Sequence, residues 1–568
     1  MSVYVKYISA PKFTNEKMQI SSDGGQLGDP ALLFEGYPDT PWATLEPYGW
    51  PLDGTRDILP DSPNNIGWWS KEASDENGIF PNDKPVLQLV FPQDETFSAP
   101  GITFRFWPST GEWCNEVVIT WYYNDEAFET VTAYPDSANW FFKYGVDGFN
   151  KIEVEFISTN IPGHFAKLQQ IQMGQVMFFF QDELVRVSLL NEIDPSACEL
   201  SADELTVEIR DSRNRKLNIR KDHRLELYRN DEIIASHYVK DYTREGENKI
   251  TLKCQSTISI LEDRFLGGFY DEESLDNVLS AVFGDIPYSL DDSLSPDAVT
   301  VSGYLPVCTK REALQQIAFA VGAYVTTQGD GTIQIKAVGD TLVDKPANYF
   351  DKDKILSGSS LSQIRPPNGI QVTAHQYTKS EEIETLAADA TVYNDPNTLV
   401  DEVVLVFSEP HWEYACSPYS AEYGAVWVEE EHPHWVRIKG DPGAVFEVTG
   451  KKYVHTTVEH SWTNPDASDF GGDTIEVKNA TLITDDNVQD AIERLKAYHS
   501  LTSSLNGTVV VDKQKAGDIV EIANPFGEDL TAGYITKMES EFTVTGHTAS
   551  IEVRGAERLR KDAEVLKV

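Results

Sequence analysis

Cysteine is scarce and scattered. Cys114, Cys198, Cys254, Cys308 and Cys416 are the five in 568 residues. An odd number with no close spacing excludes a disulfide framework and a Cys-x-x-Cys metal site. Buried, reduced thiols are expected instead. Basic residues are also in deficit, 47 Lys and Arg against 91 Asp and Glu, a net charge of -44. A surface this negative repels nucleic acid and anionic membranes, so nucleic-acid binding in the usual sense is not expected. No apolar run approaches the roughly 18 residues a membrane helix needs, so no membrane span is expected. The opening Met-Ser-Val-Tyr-Val-Lys-Tyr lacks the basic-then-apolar layout of a signal peptide, and folding in a cytoplasm is expected.

Signatures of chemistry are absent as well. There is no His-Glu-x-x-His, no phosphate-binding Gly-x-x-x-x-Gly-Lys-Ser/Thr and no Gly-x-Ser-x-Gly elbow. Gly329-Asp330-Gly331 lacks the third glycine of a dinucleotide fingerprint and lies in a hairpin pattern. His411, Cys416, His432 and His434 could ligate zinc, but Pro433 and the surrounding Trp and Tyr favour a loop. Asp466, Asp469 and Asp473 around Gly471-Gly472 fit no EF-hand spacing, which favours a solvated turn. No catalytic residue, metal or cofactor is assigned.

Aromatics are plentiful: 24 Tyr, 26 Phe and 12 Trp. With many Val, Ile and Thr they favour β-structure. Residues 1–175 begin with turn-rich sequence carrying Trp42, Trp50, Trp68 and Trp69. They continue in strand-like runs such as Leu87–Phe91, Ile102–Phe106, Val117–Trp121 and Ile152–Phe156. Residues 176–265 alternate apolar and polar through Val185–Leu190, Leu205–Ile209, Arg224–Tyr228, Glu232–Val239 and Lys249–Cys254, a small barrel or sandwich.

A helical unit spans 266–345. Ser274 caps a helix with Leu275, Val278, Leu279 and Val282 on one face, and Gly284 stops it. Thr309 and Glu312 have capping-box spacing, and Leu314, Ile317, Ala318 and Val321 follow on one face up to Gly322. The period then becomes two on either side of Gln328-Gly329-Asp330-Gly331, a hairpin. Residues 346–568 return to strands, interrupted by a helix over 485–502 that carries Val488, Ala491, Ile492, Leu495 and Tyr498. The fold class is therefore mainly β with a small α/β insert.

Two resemblances follow from these stretches. The strand after Pro100, the strand ending Trp121-Tyr122-Tyr123-Asn124, the strand Lys151–Phe156 and Lys167-Leu168-Gln169-Gln170-Ile171 resemble discoidin-like or galactose-binding-like jelly rolls. That resemblance implies an N-terminal jelly-roll β-sandwich. Members often bind sugars through loop aromatics, so Trp42, Trp50, Trp68 and Trp69 are the candidate carbohydrate contacts. Core packing is their ordinary fate.

Barrel, α/β unit, second barrel, helix and closing strands resemble, in that order, the baseplate hub or tail-tip proteins of phage tails and related injection systems. The matching segments are Thr309–Ala318 with the strand pair at Ile333-Gln334-Ile335, the helix Val488–Tyr498, Gly507–Val511 and Gly517–Ile522. The resemblance covers about 176–555 and implies tandem β-barrel hub domains at 176–265 and 346–555. It implies a homotrimer whose pseudo-sixfold ring adapts a tail tube to a central spike in the virion. Distal tail or baseplate proteins and the tape measure protein are further implied partners, and DNA passes without binding. The alternatives are a carbohydrate-binding tail adhesin and a cell-wall hydrolase. Too few residues follow the last strand for the hydrolase domain that some similar proteins carry, so no enzyme is expected.

Overall fold

The computed structural model describes residues 2–558 apart from 12–13, 23–28, 35, 38–39, 41, 45, 48–52, 59–65, 82–83, 94, 212–218, 247, 295–298, 340–347, 351, 357, 393–400, 420–423, 466–471, 512, 524–529 and 544–545. It is mainly β, as expected, and divides into two compact units, 1–185 with 207–254 and 186–206 with 255–568. Among the described residues no helix is long and apolar enough to cross a membrane.

In the first unit a five-stranded antiparallel sheet runs in the order Glu126–Ala133, Cys114–Tyr123, Lys151–Thr159, Val86–Val90, Gln19–Ser22. Alternation explains it. Val117, Ile119 and Trp121 are buried while their sequence neighbours are at most half-buried, and Ile152 and Val154 lie opposite Trp121 and Ile119. Each such side chain contributes about 2 kcal/mol by leaving water. A three-stranded sheet (Asn139–Phe142, Ile102–Arg105, Gln170–Met173) shares this core through Phe104 and Ile171. Asn124 and Asp125, both at positive φ, make the tight turn between the first two strands.

The N-terminal strand Val3–Ile8 does not join either sheet. It lies between Val176–Phe179 and Arg224–Arg229, antiparallel to both, and Glu232–Glu245 follows. Sequence periodicity shows this strand but not its neighbours, because partners such as Phe179 for Val5 and Arg229 for Val3 are too far along the chain to leave a local trace.

In the second unit, residues 188–192 pair with 537–541. From there the sheet continues through Gly546–Arg558 and Ser503–Val510 to Ser360–Gln363, over a core of Leu505, Val509, Val520, Ile535, Ile551 and Val553. Helix α1 (Leu275–Phe283) is capped by Ser274 and helix α2 (Lys310–Val321) by Thr309. The capping box is formed in full: the Glu312 N–H donates to Thr309 Oγ1 at 3.1 Å and the Thr309 N–H to Glu312 Oε2 at 2.9 Å. Gly322 ends α2 in the left-handed region, and the hairpin Ala323–Thr327 with Ile333–Ala337 follows. Helix α3 (Val488–His499) is shorter than the expected 485–502: residues 485–487 form a turn, and the N-cap is Asn487 where the sequence pattern points to Thr484.

Between α2 and α3 lies a long antiparallel pair, Gly369–Thr391 with Val445–Thr463. Its distal half packs on a second sheet (Asp401–Val406, Trp435–Gly440, Val426–His432) around Val436, Ile438, Phe446 and Val448. Among the described residues none of the sheets closes on itself, so the expected barrels are open sheets here. Closure needs the two edge strands of a sheet to pair, and each ladder instead ends in an edge.

Candidate functional site

Loops of the first unit bring together charges that are far apart in sequence. Glu46 follows the short strand Trp42–Ala43, Glu112 sits in the turn before Cys114–Tyr123, and His164 and Lys167 flank Phe165-Ala166. Lys167 Nζ donates to Glu46 Oε2 at 2.5 Å and to Glu112 Oε2 at 2.6 Å. His164 Nδ1 lies 3.0 Å from Glu112 Oε2, and its Nε2 lies 2.7 Å from the Pro47 carbonyl oxygen. The remaining carboxylate oxygens are also met. The Phe165 N–H donates to Glu46 Oε1 at 2.8 Å and the Thr110 hydroxyl to Glu112 Oε1 at 2.7 Å. The Lys167 and Glu46 side chains are 2% and 1% exposed, so the pair is out of water. The Trp69 ring, 4.6 Å from Lys167 Nζ, closes one side.

The electrostatics follow from that enclosure. Burial alone would raise the Glu112 pKa, but the His164 hydrogen bond and the Lys167 charge outweigh it and hold the group at about 2. Burial alone would lower the His164 pKa, but hydrogen bonds to Glu112 and the Pro47 carbonyl outweigh it and raise it. Both ring nitrogens face acceptors, so the imidazolium fits, with each N–H donating. Two carboxylates, one ammonium and one imidazolium then sum to zero.

The ligand atoms of Glu46, Glu112 and His164 lie within 4.8 Å of one another, a separation a metal ion could span. The ammonium of Lys167 already bridges both carboxylates, and the favoured His164 state has no free lone pair. The set is therefore a self-contained ionic lock tying three loops together. It offers no open position for a substrate atom.

Sequence reasoning missed this site. The spacings are long, and the one local signal is two cationic side chains within the short run His164-Phe165-Ala166-Lys167. Of the four candidate tryptophans, Trp68 and Trp69 are buried. Trp68 donates to Ser22 Oγ at 3.0 Å, and Trp69 packs edge-on against Trp107. Trp42 is half-buried against the Trp69 cluster, and Trp50 lies outside the described residues.

The His411, Cys416, His432 and His434 group does not gather. His411 Nδ1 bonds the Glu409 carbonyl, His432 stacks on Trp435, His434 lies edge-on to Tyr304 and Cys416 packs in the apolar core. Asp466 and Asp469 lie outside the described residues.

No protein-family model matches the chain, and no curated protein does. Solved structures do. The 43 kDa tail protein of prophage MuSo2 from Shewanella oneidensis is 11% identical, with a TM-score of 0.39, covering 68% of this chain and 97% of its own. A tail protein from Neisseria meningitidis MC58 is 11% identical, with a TM-score of 0.40, covering 66% and 93%. Prophage tail protein gp18 from Listeria monocytogenes EGD-e is 10% identical, with a TM-score of 0.37, covering 69% and 96%. Further matches are a type VI secretion component and a gene transfer agent virion. These neighbours are tail and tail-like assembly proteins, at a similarity too low to argue from.

Proposed function

We propose that the chain is a structural hub protein of a phage tail or tail-like particle. Three copies form a ring that joins the tail tube to a central spike and surrounds the channel for DNA. The observation that carries this reading is the pairing of residues 188–192 with 537–541. It joins the start and the end of the hub-like stretch in one sheet. The capping-box helix and hairpin, the long strand pair and α3 then become insertions between two ends of one body. The segments that resemble hub proteins all sit on defined elements of that body: α2, the strand Ile333–Ala337, α3, Ser503–Val510 and Ile519–Ala523.

Charge agrees with the role. At -44 per copy, a channel wall built from this chain repels passing DNA and does not hold it. The ionic lock in the first unit suits a structural part, since it fixes loops and leaves no reacting group free.

Solution mass combined with single-particle imaging of the purified chain, alone and with tail tube protein, tests the proposal. A trimeric ring with a central hole is the expected result. A chain that stays monomeric under both conditions overturns it.

A further inference from the structure

Three edge strands in this chain are guarded. The edge strand Glu126–Ala133 carries a bulge after Ala127, beside Glu126 and Glu129. Val426–His432 carries a bulge after Val428 and three consecutive glutamates. His411–Pro418 is bulged after Trp412 and ends in proline. Bulges, charge and proline are the devices that stop an edge from accepting a foreign strand.

One long edge has neither bulge nor proline and little charge. The strand Val445–Thr463 is flanked by His411–Pro418 only as far as Lys452. From Val454 to Thr463 its outer edge has no strand partner among the described residues. That stretch pairs with Gly369–Thr378 on its inner side without a register shift. It holds no Lys, Arg or Pro and a single carboxylate, Glu459. Val454 and Val458 are 44% and 47% exposed.

The same sheet ends on its far side in Ile475–Val477, which among the described residues pairs only with Gly369–Thr391. The two free edges match. Ile475–Val477 runs parallel to Gly369–Thr391, and Val445–Thr463 runs antiparallel to it. A second copy rotated about an axis along the strands therefore brings its Ile475–Val477 antiparallel to the open edge.

The cross-strand rows fix the register. Trp462, Ile370 and Ile475 form one row, and His460, Val372 and Val477 another. Continuing those rows into the next copy puts Ile475 opposite Trp462, Glu476 opposite Ser461, Val477 opposite His460 and Lys478 opposite Glu459. Apolar meets apolar on the face shared with buried Ile370. The one carboxylate of the open edge, Glu459, which accepts from Gln371 at 2.7 Å, meets Lys478, which pairs with Glu476 at 2.6 Å within its own copy. No like charges stand directly opposite each other in this register.

We infer that the open edge at Glu459–Trp462 is the contact between copies, taking the Ile475–Lys478 edge of the neighbouring copy by strand addition. The inference rests on the ring reading and names the surface that closes it. A head-to-tail contact of this kind is heterologous, so it makes a ring where the rotation closes. Main-chain hydrogen bonds supply the affinity, and the Glu459–Lys478 and Trp462–Ile475 pairs set the register.

Charge exchange tests it. Glu459→Lys alone places lysine against lysine, and Lys478→Glu alone places carboxylate against carboxylate. Each should weaken association of the full chain roughly tenfold per interface, read by sedimentation, with the double exchange restoring it to within about threefold. Lys478 also pairs with Glu476 within one copy, so thermal unfolding of each variant is read beside sedimentation, and an association change larger than the unfolding change assigns the effect to the contact between copies. If wild type assembles into rings and all three variants match it, the edge is not the contact, while the ring reading stands. Single variants that dissociate without rescue by the double exchange overturn the register and the inference with it. A wild-type chain that never assembles overturns the ring reading as well.

Discussion

Lys167 and Glu46 are 121 positions apart, yet Lys167 Nζ lies 2.5 Å from Glu46 Oε2 with both side chains out of water. Glu112 shares the same ammonium at 2.6 Å. Removing the cation leaves two buried carboxylates with only His164 between them. Lys167→Met should therefore destabilise the first unit by about 3–5 kcal/mol, as loss of one partner from a buried ion pair does. Denaturant unfolding of the full chain reads this as a transition moved to lower denaturant. A loss below about 1 kcal/mol would mean that the lock is wetter and weaker than its geometry indicates.

The lock also has a pH window. Glu112 is depressed to about 2 in the folded chain, from an ordinary value of 4.5. Its contribution is present above pH 4.5 and is lost as the pH falls toward 2. His164 is raised above its ordinary 6.5, so its contribution is full below pH 6.5 and is lost as the pH rises through the folded value. The two together make the lock strongest between about pH 4.5 and 6.5. His164→Asn should flatten the alkaline side of the stability profile, and Glu112→Gln the acid side. Wild-type and His164→Asn curves that stay parallel above pH 6.5 would remove His164 from the account.

At α2 the effect is local and smaller. Thr309→Ala removes the side-chain acceptor for the Glu312 N–H and should cost about 1 kcal/mol. Gly322→Ala should cost more. Gly322 has φ +72°, and a Cβ there would meet Arg494 Cδ at 2.7 Å. Thermal unfolding ranks the two variants, and a Gly322→Ala protein as stable as wild type would show that α2 ends differently.

These sites differ in how readable they were. The box at Thr309 and Glu312, the stop at Gly322 and the hairpin at Gln328–Gly331 are local rules written in adjacent residues, and the structure repeats them. Ser274 and Gly284 at α1 are the same kind of signal. The lock is not local: Glu46, Glu112 and Lys167 meet only after the loops of the first unit are in place, and each looks like any other of the 91 acidic or 47 basic residues. The position of Val3–Ile8 and the open sheets among the described residues have the same cause. Period-two alternation fixes which face a strand buries, and it says nothing about which strand lies beside it.

In the proposed ring salt separates two effects. Each copy carries -44, so bringing copies together costs long-range repulsion. Screening shortens the reach of that repulsion from roughly 30 Å at 0.01 M to roughly 8 Å at 0.15 M salt. The Glu459–Lys478 contact across the edge is attractive and weakens over the same range, but a single exposed pair is worth at most about 1 kcal/mol. Repulsion among three highly charged bodies outweighs it. Association should therefore strengthen with salt, by roughly tenfold or more across that range. Sedimentation at fixed protein concentration measures the change. Weaker assembly at higher salt would show that attraction between opposite charges holds the copies together, and it would point to a basic surface within the ring where an acidic wall is expected.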